Sequence, residues 1–200
     1  MPSDKQTKIA KADLPIIPFA TKHIWEQWLE ENHQNPDGIW LRFYKKGSGI
    51  PSVNYAEALD VALCYGWIDA QLKSIDQHSY KQHFSPRRPR SIWSKRNIEH
   101  IERLMADGRM KPAGIKQVEN AKSDGRWQQA YDSPSNMTLP EDFLIDLKKN
   151  EQAYDFYETL SKTNKYAICW RLQTAKRSET KQKRKQEILE MLGRGEVFHL

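Results

Sequence analysis

Asn54-Tyr55-Ala56-Glu57-Ala58-Leu59-Asp60-Val61-Ala62-Leu63-Cys64-Tyr65-Gly66-Trp67-Ile68-Asp69 is the stretch on which the fold turns. Asn54 has the side chain of a helix N-cap, and Glu57 three residues on completes an approximate capping box. Ala58, Leu59, Ala62, Leu63 and Tyr65 then recur at helical spacing, and Gly66 supplies a left-handed stop. Trp67-Ile68-Asp69 opens a strand-like run through Ile75. A second such run covers residues 78–84, after a short turn at Asp76-Gln77. A helix followed directly by a hairpin predicts an α+β fold with a small, largely antiparallel sheet.

Working outward toward the N-terminus, Ile39-Trp40-Leu41-Arg42-Phe43-Tyr44 alternates as a strand between two glycine-bearing turns. Ahead of it, Ile24, Trp25, Trp28 and Leu29 predict a helix with Thr21 as its cap. Residues 1–13 are polar and aperiodic and are expected to form a disordered lead-in.

Toward the C-terminus the signals become helical throughout. Ser94 caps a run carrying Ile98, Ile101, Leu104 and Met105 that stops near Gly108. Pro112 opens another through Ile115, Val118 and Ala121 to Gly125. After a loop at residues 132–136, Pro140 and Asn150 begin two more helices, residues 166–175 form a further one, and Ser178 caps a last. The expected organisation is a lead-in (1–13), an α+β domain with following helices (14–132) and a C-terminal helical region packed on it (133–200).

Cys64 and Cys169 lie in apolar helical patterns and form no CxxC pair, as expected of core thiols in a reducing compartment. Residues 1–12 show no apolar signal-peptide core, and no run approaches the ~18 apolar residues of a spanning helix. These features predict a cytoplasmic chain without membrane insertion; its oligomeric state is left open. GxGxxG, P-loop, GxSxG and HExxH signatures are all missing, so no cofactor is expected. The six histidines are scattered, and His78 and His83 would fall on opposite strand faces, so no metal site is expected either.

Charge is concentrated in two windows. Residues 81–96 hold six bases and no acid, and residues 165–185 hold eight bases with Glu179 as the one acid. With +6 for the whole chain, the remainder is net negative. In the first window Phe84-Ser85-Pro86-Arg87-Arg88-Pro89-Arg90-Ser91-Ile92-Trp93-Ser94 has two prolines stiffening a loop of three arginines. It leads into a helix N-terminus, whose backbone N–H groups favour an anion. Trp67, Asp69, Arg87, Arg88, Ser91, Trp93 and Asn97 therefore form the candidate ligand-binding set, with a small anion as the expected ligand. The bland alternative is that the arginines pair with Asp69 or Asp76 and pin the loop to the sheet.

Two other functions stay open. Asp69 beside Trp67 can act as an acid or base in an enzyme, with Arg87 and Arg88 stabilising developing negative charge. In the second window Arg171, Lys176, Arg177, Lys181 and Arg184 offer a basic face that could track a nucleic-acid backbone. A solvated helix surface explains the same residues.

The residues also carry a resemblance. Tyr55-Ala56-Glu57-Ala58-Leu59-Asp60 and Cys64-Tyr65-Gly66-Trp67-Ile68-Asp69 resemble the bacterial YdeI/OmpD-associated proteins. So do residues 84–94 with Asn97, Gly108-Arg109-Met110 with Ala113-Gly114, and Gly125-Arg126-Trp127. Asn164-Lys165-Tyr166-Ala167-Ile168 and Thr174-Ala175-Lys176-Arg177 extend the likeness, which spans roughly residues 14–198. The resemblance implies a role in bacteriocin protection or envelope stress and supplies no catalytic residue. Its envelope association departs from the cytoplasmic expectation above.

Overall fold

A capping box starts the central helix as its sequence predicts: Asn54 Oδ1 accepts from Glu57 N at 3.0 Å, and Glu57 Oε2 accepts from Asn54 N at 3.2 Å. The computed structural model describes residues 10–132 and 136–199. Its elements are β1 (Ile16–Pro18), α1 (Lys22–Asn32), β2 (Ile39–Tyr44), α2 (Tyr55–Cys64), β3 (Trp67–Ser74) and β4 (Ser79–Pro86). There follow α3 (Lys95–Ala106), α4 (Pro112–Ser123), α5 (Glu141–Lys148), α6 (Glu151–Thr159), α7 (Lys162–Gln173) and α8 (Ser178–Gly193). The fold is α+β: among the described residues, strands and helices make up the first half and helices the second.

Two compact units make up the chain. The first holds the residues up to Trp93 together with Asn97–Gln129, and the second holds Ser94–Arg96 and the residues from Ala130 onward. In the first unit the strand order is β1-β2-β4-β3. The pairs β2–β4 and β4–β3 are antiparallel, and β1 adds a short parallel edge to β2.

The core of this unit is aromatic. Ile39, Leu41, Phe43, Trp67 and Phe84 are buried on the sheet, against Trp25 and Leu29 of α1. Trp25 meets Trp67 and Phe84 edge-on at 6.3 and 5.9 Å. Buried indole N–H groups usually find an acceptor: Trp25 Nε1 donates to Ala58 O, Trp40 Nε1 to Lys11 O and Trp67 Nε1 to His33 O, at 2.8–3.1 Å. Gly66 sits at φ +75°, so the chain turns from α2 into β3 without steric strain. In the second unit Phe143, Leu147, Ala153, Tyr157, Ile168, Leu172, Ile188, Met191 and Leu192 form the core.

Several local expectations are corrected. β1 is absent from the sequence reading, because three residues ending in proline show no periodicity. A β-bulge between Asp69 and Leu72 breaks the alternation of β3. Asp69 pairs with Phe84 and Leu72 with Gln82, so Leu72 shares the face of Asp69 and Lys73 lies on the opposite one. Lys73 accordingly lies over the Trp40 ring at 5.5 Å. Helix α7 begins four residues early, because Ser161 Oγ accepts from Asn164 N. Ser178 is the first residue of α8 rather than its cap, which is Arg177. Of the expected lead-in, residues 1–9 lie outside the described residues, and Asp13 N bonds Ala10 O in a turn. Within the loop at 132–136, residues 133–135 also lie outside them.

Candidate functional site

The Pro-Arg loop is built on the end of the β3–β4 hairpin. Trp67 pairs with Pro86, and Arg87 N donates to Gly66 O at 3.0 Å, which sets the direction in which the next side chain leaves the sheet. Arg87 turns inward and is only 5% exposed. Its guanidinium lies 3.7 Å from the Trp93 ring centroid, and Nη2 donates to Ile92 O at 2.9 Å. A turn closed by Ser91 N to Arg88 O at 3.0 Å then presents Arg88, Pro89 and Arg90 to solvent.

A second buried arginine holds the loop from the far side. Arg126 Nη1 donates to Ser91 O at 3.0 Å, and its Nε binds both carboxylate oxygens of Asp124 at 2.8 Å. Trp127 packs against Trp93 at 5.1 Å. Beneath the exposed tip, Ser91 Oγ and Trp93 Nε1 are buried without a hydrogen-bond partner among the described residues. Such groups are uncommon in folded interiors.

The remaining members of the predicted set occupy different surroundings. The Trp67 ring belongs to the aromatic core. Asp69 is half-buried and accepts from Tyr55 OH at 3.0 Å and Gln82 Nε2 at 2.6 Å. Asp76, offered as a loop partner, instead binds Arg42 at 3.0 Å. Asn97 lies half-buried in the first turn of α3. At the start of that helix, the Lys95 N–H donates to Tyr131 O at 2.9 Å.

The second basic window divides in three. Arg171 and Arg184 line a cavity beside α8. Lys181 pairs with Asp142 at 3.0 Å. Lys176 and Arg177 are exposed ahead of α8.

One cluster went unnoticed in the sequence. Asp60 on α2 accepts from Arg103 Nη2 at 2.7 and 2.8 Å, contacts His100 Nδ1 at 2.9 Å, and has Arg109 at 3.7 Å. Burial raises the carboxyl pKa of Asp60, but the Arg103 and His100 hydrogen bonds outweigh it and leave the pKa below the ordinary value. The cluster ties α2 to α3, and its one sequence signal is an acid within an apolar helical run. Among the described residues, no group of three or more His, Cys, Asp or Glu is placed to hold a metal ion. No helix there is long and apolar enough to cross a membrane.

Comparison with known families gives two matches. Residues 17–117 match a family described as a domain of unknown function (DUF8412). Residues 136–195 match one described as "Bacteriocin-protection, YdeI or OmpD-Associated". No curated protein and no solved structure matches the chain.

Proposed function

We propose that this chain, which belongs to the family described as a domain of unknown function (DUF8412) and carries a bacteriocin-protection, YdeI or OmpD-associated domain at residues 136–195, is a cytoplasmic protective protein that binds a small anion on its Pro-Arg loop. The observation that supports the binding reading is the division of labour among the loop arginines. Arg87 is committed to the Trp93 stack and the Ile92 carbonyl, so the loop is braced from within. Arg88 and Arg90 are thereby held outward on a short, proline-restricted tip. Two exposed guanidiniums on a rigid frame lose little freedom on gripping a phosphate or carboxylate. The cytoplasmic assignment draws support from Cys64 and Cys169, which are both buried free thiols.

An enzyme built on Asp69 has no comparable support, because that carboxylate is engaged by Tyr55 and Gln82. Thermal-shift titration with inorganic phosphate, nucleotides and small carboxylates tests the binding reading. A ligand specific for the native state raises Tm, and the Arg88→Ala/Arg90→Ala variant should keep its fold and lose that shift. An undiminished shift in the double variant removes the loop from the site. No shift from any anion removes the binding reading itself.

A further inference from the structure

A candidate binding site lies in the C-terminal unit. Beside α8 there is a cavity of about 240 Å³. Its apolar walls come from Trp170, Ile188, Met191 and Phe198, and its polar groups are Arg171, Arg184 and Glu187. Arg171 lies with its guanidinium 3.7 Å over the Phe198 ring, and its Nη1 donates to Ala167 O at 3.2 Å. Arg184 Nη1 donates to Arg171 O at 2.6 Å and to Thr174 Oγ1 at 3.4 Å. Each guanidinium is thus oriented through one nitrogen while others remain available.

The charge balance of this unit singles these two arginines out. Lys181 is paired with Asp142, and Lys185 with Asp142 and Asp146. Arg171 and Arg184 are only partly exposed and form no ion pair among the described residues. Glu187 also lines the cavity; its side chain is 59% exposed and pairs with Lys183 at 3.9 Å. Two like charges facing one small, partly apolar space favour an anion within it.

We infer that this cavity binds a small monocarboxylate carrying one aromatic or branched apolar group. An apolar cavity of ~150 Å³ admits a benzene ring, so about 240 Å³ leaves room for a ring and a carboxylate. The ring packs against Trp170 and Phe198, while the carboxylate takes the planar fork of an arginine. Glu187 lines the same cavity and adds a partial negative offset to the two arginine charges, so a singly charged ligand matches the site better than a phosphate dianion.

The test uses the full chain, ¹⁵N-labelled, with benzoate as the probe. Benzamide supplies the ring without the charge, and acetate supplies the charge without the ring. Benzoate should produce saturable shifts of the Arg171 and Arg184 Nε–H and Trp170 indole resonances, with affinity at least about tenfold above both controls. Glu187→Gln, a change on an exposed side chain, should tighten benzoate by about twofold to fivefold and leave benzamide unaffected. Arg184→Gln should abolish the benzoate response; since it also removes the bond to the end of α7, the Glu187 variant keeps the test independent of folding. Equal response to benzamide, no saturable shift up to the solubility limit, or unchanged benzoate affinity in Glu187→Gln would each overturn the assignment.

Discussion

Arg87 and Arg88 are adjacent and chemically identical, yet one is sealed inside the protein and the other faces water. Their fates are decided by strand phase. The bond from Arg87 N to Gly66 O extends the β3–β4 ladder by one step and turns the Arg87 side chain to the Trp93 side. Nothing in a run of arginines separated by prolines encodes that phase, which is why the sequence nominates a candidate set without sorting its members. Arg87→Ala removes a desolvated cation–π contact and a charged hydrogen bond, and should destabilise the protein by roughly 2–4 kcal/mol in urea unfolding. Arg88→Ala, measured the same way, should remain within about 0.5 kcal/mol of the parent. His83 yields a pH prediction. Burial, and then the charge of Lys11, push its pKa below the ordinary value. The unfolded chain therefore takes up this proton first, near pH ~6.5. Stability is fully present above that pH and falls as the pH drops toward the folded-state pKa. Urea midpoints between about pH 7.5 and 5 should show this slope, and His83→Gln should flatten it.

Elements were more legible than the contacts between them. The capping box of α2, the Gly66 stop, the β3–β4 hairpin and the caps at Thr21 and Asn150 all follow from local chemistry and appear where the residues place them. The bulge in β3 did not announce itself, since no glycine or proline marks Ala70-Gln71. Packing between helices was also hidden. The N-terminal turn of α4 lies directly on the end of α2, where Lys111 N donates to Cys64 O at 3.1 Å. A Cβ on Gly114 would press into Cys64 O and lie 2.9 Å from Leu63 O. Glycine-to-alanine within a helix ordinarily stabilises by roughly 0.5–1 kcal/mol. Here the sign should reverse, with Gly114→Ala destabilising by roughly 1–3 kcal/mol through overpacking. Thermal unfolding of that single variant checks the sign.

At the scale of the molecule, composition located the two basic windows but not their counter-ions. Acids of α5 neutralise Lys181 and Lys185, while Arg171 and Arg184 turn to a cavity, so Lys176 and Arg177 are what the predicted face leaves exposed without an ion pair among the described residues. Binding of a short single-stranded oligonucleotide, followed by fluorescence anisotropy, should therefore have a shallow salt dependence. The log–log slope should not exceed about 2, as expected for two or three phosphates. The division into an α+β half and a helical half was readable from the change in periodicity near Trp93. Which residues belong to which compact unit was not, because Ser94–Arg96 group with the later chain while the rest of α3 groups with the earlier.

The sheet also bears on how this protein behaves in company. An open edge strand is a template on which another chain can add a strand, the first step toward fibrous aggregation. One edge here, β1, is three residues long and ends in a proline. The other, β3, is bulged after Asp69, with Lys73 on the strand beyond the bulge. A bulge interrupts the regular row of donors and acceptors, and a lysine must be desolvated before a neighbour can dock. The irregularity that defeated the strand alternation thus serves as a guard against self-templating at high concentration.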